Sequence, residues 1–200
     1  MQIAIITKLI NNTKFKIDKG DHLLDTHTHI LWNIDDGSKN QCMSLQMLEI
    51  AARSGTKAIF ATPHVIERAN KPSWEEIKEK TQQLRQLCAE AQIDIMLYPR
   101  PEVQMYLERL PELGATGAYC LNGGRYLLVE LPAAEIPAYA DEFWYELELK
   151  GIMPILAHPE RYQQLRENPD LLLLWRRRGM LMQCNSGSFT GMFGSSVCEN

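Results

Sequence analysis

The feature that most limits how this chain can fold is an alternation of three polar residues within an apolar run. Asp25, His27 and His29 occupy every second position, with Leu23-Leu24 before them and Ile30-Leu31 after them. In a β-strand, residues spaced in this way share one face. Buried polar groups without partners cost several kcal/mol, and a bound divalent cation removes that cost. The run therefore predicts a metal-binding strand.

Two further histidines stand in short motifs that each close an apolar run. These motifs are Thr62-Pro63-His64 and His158-Pro159-Glu160-Arg161. Alone, each motif also fits an ordinary turn at the end of a strand. Glu130 lies inside another apolar run, where a buried carboxylate needs a counter-charge or a cation. Together with the alternating histidines, these motifs indicate one dispersed metal site.

Apolar runs alternate along the chain with amphipathic helical patterns. The predicted strands are residues 23–30, 58–62, 93–98, 126–131, 153–157 and 180–183. The predicted helices are residues 43–53, 73–90, 138–150 and 169–178, and the second opens with the capping box Ser73-Trp-Glu-Glu76. Strands that alternate with helices of roughly 10–15 residues favour parallel βαβ units. The predicted fold class is therefore α/β.

In a parallel α/β barrel, active sites lie at the carboxyl ends of the strands. Five candidate residues stand at or just past the end of a predicted strand: His29, His64, Glu102, Glu130 and His158. We therefore expect these residues to meet at one rim of the sheet. Only six strands are predicted, whereas a closed barrel of this kind needs about eight, so we expect the barrel to be incomplete.

Composition restricts the classes of function that fit this chain. Its 200 residues suffice for one domain with a hydrophobic core. A net charge of −4 does not favour binding to nucleic acid. A helix that spans a bilayer needs about 20 apolar residues, and no apolar stretch of the sequence approaches that length. The five cysteines include no Cys-x-x-Cys pair, which predicts reduced thiols and a cytoplasmic location. No cysteine is followed six positions later by arginine, which excludes a phosphocysteine mechanism.

The ligand types narrow the chemistry further. Histidine and carboxylate without thiolate suit Mn²⁺, Fe or Zn²⁺, and sites with two such ions hydrolyse phosphate esters through a metal-bound hydroxide. An arginine can stabilise charge on the phosphoryl oxygens, and Arg161 is the candidate for this role. Arg100 and Arg125 are alternatives for this role but are interpreted first as surface charges. Asp35-Asp36-Gly37 is interpreted first as a turn, with a role in the site as the alternative.

These residues resemble the bacterial metal-dependent protein-tyrosine phosphatases of the PHP (polymerase and histidinol phosphatase) superfamily, which act in capsular and exopolysaccharide synthesis. The similarity runs from about residue 23 to residue 194. The motifs that carry it are Asp25-Thr-His-Thr-His-Ile-Leu, Ile34-Asp-Asp-Gly-Ser, Ala61-Thr-Pro-His, Tyr126-Leu-Leu-Val-Glu-Leu, Leu149-Lys-Gly-Ile-Met-Pro-Ile-Leu-Ala-His-Pro-Glu-Arg and Gly187-Ser-Phe-Thr-Gly-Met-Phe-Gly.

The resemblance implies a distorted (β/α) barrel with two or three metal ions, often Mn²⁺, with Fe or Zn²⁺ as alternatives. It implies that Arg161 contacts the phosphate of a phosphotyrosyl protein, with a tyrosine autokinase of polysaccharide synthesis as the expected partner and a homo-oligomer as one expected assembly. It also implies six metal ligands: His27, His29, His64, Glu102, Glu130 and His158.

Two departures from the family pattern shape the expectations. The residues before Glu102 read Tyr-Pro-Arg100-Pro101, where the family usually has a small residue such as glycine. The family also places a Ser-Asp-Ala-His-type motif beyond the position of Gly194, and this sequence lacks one. We therefore expect a PHP-type domain over residues 22–200 that lacks the last strand and helices and retains fewer ions. Residues 1–21 are expected to form an extension.

Three readings of the function follow. The first is metal-dependent hydrolysis of phosphotyrosine on a protein. The second is a non-catalytic remnant that binds a metal or a phosphotyrosyl peptide, because loss of ligands weakens a metal site. The third is a small-molecule phosphatase of the histidinol-phosphate type, against which Asp-Asp-Gly after the first motif and His-Pro-Glu-Arg both argue.

Overall fold

The structure is a computed structural model that describes residues 23–66, 71–113, 117–192, 194 and 197. The strands are β1 (Leu23–Thr28), β2 (Thr56–Ala61), β3 (His64–Val65), β4 (Met96–Pro99), β5 (Glu102–Gln104), β6 (Tyr126–Glu130), β7 (Met153–Ala157) and β8 (Leu181–Gln183). The α-helices are α1 (Gln41–Arg53), α2 (Trp74–Glu90), α3 (Ala140–Leu149), α4 (Gln163–Glu167) and α5 (Pro169–Arg177). The extension predicted for residues 1–21 lies outside the described residues.

The strands form two parallel sheets whose hydrogen-bonded ladders continue one another. Their orders are β1-β2-β4 and β3-β5-β6-β7-β8. Only two residues, the second a proline, separate β2 from β3 and β4 from β5. Across these breaks the N–H of Arg100 donates to the carbonyl of Ala61 at 3.0 Å, and the N–H of Glu102 donates to that of Pro63 at 3.0 Å. The breaks therefore bend the ladder without separating its strands.

When β2 with β3, and β4 with β5, are each counted as one interrupted strand, neighbouring strands follow one another in chain order, and all pairs are parallel. The predicted parallel α/β fold is confirmed. The short strands β3 and β5 were not predicted, because proline cannot donate to a ladder and reads as the end of a strand. Among the described residues, β1 pairs only with β2 and β8 only with β7.

Both faces of the central strands are buried, as expected of a parallel sheet. On β6, Leu127 and Val129 pack into the main core with the helices, whereas Tyr126 and Leu128 join a second cluster that includes Ile155. The alternation follows the period of two of a β-strand. The runs read as near-continuous apolar sequence because neither face meets water.

Local capping fixes where the helices begin. The side chain of Asn40 accepts from the N–H of Met43 at the start of α1, and that of Ser73 accepts from the N–H of Glu76 at the start of α2. Helix α2 spans the residues predicted from its capping box, and α5 begins at the predicted Pro169. In the described part of the chain, no helix combines the length and apolarity that crossing a bilayer requires.

Trp175 joins α5 to the rest of the core, and we predict that its loss destabilises the fold. Its side chain is 1% exposed, it packs edge-on against Trp144 at 5.7 Å between ring centroids, and its Nε1 donates to Asp141. Trp175→Ala should lower the free energy of unfolding by about 3–5 kcal/mol, because it leaves a large cavity. Urea denaturation followed by circular dichroism measures the change.

The matched control is Leu173→Ala on the same helix, where the side chain is 47% exposed. This control should change the free energy of unfolding by less than about 1 kcal/mol. Equal effects of the two substitutions would contradict the packing described for α5.

Candidate metal centre

A fully buried carboxylate, that of Glu102, lies among four histidines. Its Oε1 is 2.7 Å from Nε2 of His158. Its Oε2 is 3.0 Å from Nε2 of His27, 3.3 Å from Nδ1 of His64 and 3.5 Å from Nε2 of His29. A carboxylate removed from water in this way needs positive charge around it, from protons or from a cation.

The register of the sheet creates this convergence. His64 and Glu102 are direct neighbours in the pairing of β3 with β5, and both stand just past a proline break. His27 lies in β1 and His29 one residue beyond its end, so the alternation predicted from the sequence carries both rings into the same space. Glu130 ends β6 and places Oε1 at 3.2 Å from Nδ1 of His64.

His158 reaches the cluster through an unusual backbone conformation. It follows β7 with φ of 33°, in the left-handed region that non-glycine residues seldom occupy. Its N–H donates to the carbonyl of Gln183 at 2.7 Å, and its carbonyl accepts from the N–H of Arg161. Strained residues of this kind persist where the surrounding structure holds them, and they concentrate at functional sites.

The pKa values of Glu102 and His29 are shifted by the charged groups around them. Burial raises the pKa of Glu102, but its hydrogen bonds with His158, His27 and His29 outweigh burial and hold that pKa well below the usual range. Burial likewise opposes charge on His29, yet its contacts with Asp35 and Glu102 raise the pKa to about 10. Without a metal, His29 is therefore protonated at neutral pH and its positive charge stabilises the carboxylate of Glu102.

The donor atoms fit divalent cations. Two groups of three residues, each with its ligand atoms within 4.8 Å of one another, share Glu102: His27, Glu102 and His158 form one, and His29, His64 and Glu102 the other. In addition, Oε1 of Glu130 is buried beside His64, 3.2 Å from its Nδ1. A shared carboxylate and a second buried carboxylate oxygen among imidazole nitrogens form a set of nitrogen and oxygen ligands that suits Mn²⁺, Fe or Zn²⁺.

Asp35 belongs to the site although the sequence favoured a turn. Its Oδ1 accepts from the N–H of Gly37 in that turn, while its Oδ2 lies 2.7 Å from Nδ1 of His29 and accepts from the N–H of His64. A third group of donor atoms consists of His29, Asp35 and Asp36. The signal that could have revealed this role is the spacing, since only five residues separate the histidine pair from the turn.

Gly37 allows this turn to approach the site. A Cβ atom at residue 37 would lie 2.1 Å from the carbonyl oxygen of His29, so any other residue there would displace the histidine. The glycine is thus required by close backbone approach rather than by its own backbone angles.

The candidate arginines separate into three situations. Arg161 is exposed and lies in the wall of the cavity that contains the cluster. The interpretation of Arg100 as a surface charge is wrong, because it is 1% exposed, donates to the carbonyl of Thr26 and stacks on Phe60 at 5.2 Å. Arg125 is exposed as interpreted and stacks on Tyr126, outside the cavity wall.

The cavity has a volume of about 1300 Å³, and residues 181–187 form part of its wall. Glu160 fixes this segment, since its Oε1 accepts from the N–H of Asn185 and from the hydroxyl of Ser188. The thiol of Cys184 also lines the cavity, and burial together with Glu160 raises its pKa to about 12. A thiol that stays protonated is a poor nucleophile, in agreement with the exclusion of a phosphocysteine mechanism.

Comparisons with known proteins agree with this geometry. A family model described as capsular polysaccharide synthesis, CpsB/CapC, matches residues 23–199. The tyrosine-protein phosphatase YwqE of Bacillus subtilis is 35% identical over 175 residues, which cover 88% of this chain and 69% of the relative. The putative tyrosine-protein phosphatase CapC of Staphylococcus aureus is 32% identical over the same shares of both chains.

A solved structure is similar as well. It comes from crystal structures of YwqE from Bacillus subtilis and CpsB from Streptococcus pneumoniae, described as unique metal-dependent tyrosine phosphatases. The TM-score is 0.82 at 35% identity, over 88% of this chain and 72% of that one.

We predict that metal binding to this cluster strengthens as the pH rises. The raised pKa of His29 keeps its imidazole protonated at neutral pH, and only the neutral imidazole binds a metal. Below the pKa of about 10, an increase in pH therefore weakens the competition between this one proton and the metal. Calorimetric titration with Mn²⁺ between about pH 6.5 and about pH 8 should show rising affinity and proton release into the buffer.

Asp35→Asn sharpens this test. It removes the charge that raises the pKa of His29, so fewer protons should be released at neutral pH. Asp170→Asn, at an exposed position of α5, is the matched control and should release as many protons as the unaltered chain. Proton release that is unchanged in Asp35→Asn would contradict the assignment.

Proposed function

The chain belongs to the CpsB/CapC family of capsular polysaccharide synthesis, and we propose that it is a metal-dependent phosphatase that hydrolyses phosphotyrosine on a protein. One observation carries the proposal: two groups of histidine ligands joined by the buried carboxylate of Glu102. The similar proteins are tyrosine-protein phosphatases, which supports phosphotyrosine as the substrate class.

The proposed ligands divide between the ions. His27 and His158 would hold one ion with Glu102, and His29 and His64 would hold the next with the same carboxylate. Bound divalent cations lower the pKa of a coordinated water and withdraw charge from phosphoryl oxygens. Mn²⁺ is the proposed native ion, with Fe and Zn²⁺ as alternatives of the same ligand preference. Glu130, beside His64, is proposed as a further ligand, which gives two or three ions in all.

Arg161 is proposed to bind the phosphoryl group. Arg161 lines the cavity, three positions after the proposed ligand His158. Its backbone N–H donates to the carbonyl of His158, which holds the two residues close together. A guanidinium presents a planar pair of donors that matches two phosphoryl oxygens. The tyrosyl ring would then lie against the cavity wall, which includes the 53% exposed side chain of Phe189.

The proposed protein substrate is a tyrosine autokinase of polysaccharide synthesis. The description of the family supports the pathway, and the exposed position of Arg161 supports a substrate as large as a folded protein. A cytoplasmic location is part of the proposal, and the free thiols of Cys42, Cys88, Cys120 and Cys184 support it.

The proposal is tested by phosphate release from a phosphotyrosyl peptide, with Mn²⁺ and after treatment with a chelator. Hydrolysis that needs the metal and is lost in Glu102→Gln supports the proposal. A clear preference for histidinol phosphate would identify a small-molecule phosphatase instead. Binding of the peptide without turnover at any metal concentration would identify a non-catalytic binding protein.

We predict that Arg161→Ala separates phosphate recognition from metal binding. The value of kcat/KM for the phosphotyrosyl peptide should fall by about 100-fold, because charge on the phosphoryl group loses a partner. The affinity for Mn²⁺ should not change, because a guanidinium is itself a cation and has no lone pair to offer a metal. Steady-state kinetics and calorimetry measure the two quantities.

Arg161→Lys should recover only part of the activity, since lysine cannot donate in the bidentate manner of arginine. The matched control is Arg177→Ala at an exposed position near the end of α5, which should leave both quantities unchanged. A parallel loss of metal affinity in Arg161→Ala would contradict the proposed role.

A further inference from the structure

Gln183, at the end of β8, contacts two of the residues proposed to hold one ion. Its side-chain Oε1 lies 2.7 Å from Nδ1 of His27, across the space between β8 and β1. Its backbone carbonyl accepts from the N–H of His158 at 2.7 Å. One residue thus touches both histidines of the group that they form with Glu102.

The neighbours of Gln183 fix which way its amide faces. Its Nε2 donates to the carbonyl of Cys184 at 2.9 Å and lies 3.0 Å from Oδ1 of Asn185. A backbone carbonyl can only accept, so rotating the amide by 180° would bring two acceptor oxygens together at Cys184. The oxygen of the amide therefore faces His27.

This orientation decides which nitrogen of His27 carries the proton. An amide oxygen has no hydrogen to donate, so Nδ1 of His27 must be the donor across the 2.7 Å contact. In the neutral ring the other nitrogen, Nε2, then carries the lone pair. That Nε2 lies 3.0 Å from Oε2 of Glu102, on the side of the cluster.

We propose that Gln183 is a positioning residue, which holds His27 in the tautomer protonated at Nδ1 and directs its Nε2 lone pair toward the ion shared with Glu102 and His158. The ion is the one invoked in the proposed function, and this inference rests on it. Residues that hydrogen-bond to the distal nitrogen of a ligating histidine fix its ring and tautomer, and their loss typically weakens metal binding about 10- to 100-fold.

The comparison with His29 shows why an amide matters at this position. Nδ1 of His29 faces the carboxylate of Asp35 at 2.7 Å, which favours the protonated ring. Gln183 brings the same directional contact to His27 without a second negative charge. His27 and His29 are therefore oriented alike, through Nδ1, by partners of different charge.

The test compares Gln183→Met with Gln183→Glu. The first removes the acceptor at similar length, and the second restores an acceptor for Nδ1 of His27. Mn²⁺ and Zn²⁺ are titrated by calorimetry, and the nitrogen of His27 that carries the proton in the Zn²⁺-bound protein is read from long-range proton–nitrogen NMR spectra. Gln163→Met is the matched control, because that side chain pairs with Glu167 on the exposed side of α4.

Gln183→Met is expected to weaken binding of one ion about 10- to 100-fold and to lower the fraction of Zn²⁺-bound His27 that carries its proton on Nδ1. Gln183→Glu should bind more tightly than Gln183→Met, and Gln163→Met should match the unaltered chain. If Gln183→Met fails to fold, the Zn²⁺-bound forms of the unaltered chain and Gln183→Glu still report the tautomer. A proton on Nε2 of His27 in the Zn²⁺-bound unaltered chain, or unchanged metal affinity in a folded Gln183→Met, overturns the proposal.

These readouts need no substrate, so they separate the two proposals. If Gln183→Met weakens metal binding but the unaltered chain does not hydrolyse phosphotyrosine, the role of Gln183 is supported and the proposed function is refuted. If the unaltered chain is active but Gln183→Met changes neither the metal affinity nor the tautomer of His27, the proposed function is supported and the role of Gln183 is refuted. A chain that binds neither Mn²⁺ nor Zn²⁺ overturns both.

Discussion

The buried carboxylate of Glu102 is the interaction on which the site depends. It is fully removed from water and faces four histidines from three different segments of the chain. An isolated carboxylate would be too costly at this depth, so the residues around it must supply positive charge in every state of the protein. Protonated imidazoles can do so without metal, and cations can do so when bound. The same group therefore serves the stability of the fold and its proposed chemistry.

Much of this arrangement could be predicted from the sequence. Periodicity placed six of the eight strands within a few residues, and the capping box placed α2 at its observed bounds. The convergence of His29, His64 and His158 followed from one rule, that parallel strands end at the same rim. Their roles as ligands remain part of the proposed function.

What could not be predicted depends on contacts between distant residues. Arg100 looks like a surface charge in the sequence, but Thr26 and Phe60, which enclose it, lie far away along the chain. The strands β3 and β5 were missed because proline ends a strand pattern, although the ladder resumes directly after it. Gln183 gave no signal either, since a lone glutamine in a short strand has no local feature that points to His27.

The placement of β1 and β8 gives the centre a mechanical consequence. These strands are the two ends of the described strand order, and each pairs with one neighbour only. His27 on β1 and Gln183 on β8 are in contact, and we call the boundary between these two strands the seam. An ion held by His27 and His158 would link β1 to the end of β7. Ligands that bind only the closed form stabilise it. Release of the ion would then require local opening of this seam, so the rate of that opening would set the lifetime of the bound metal.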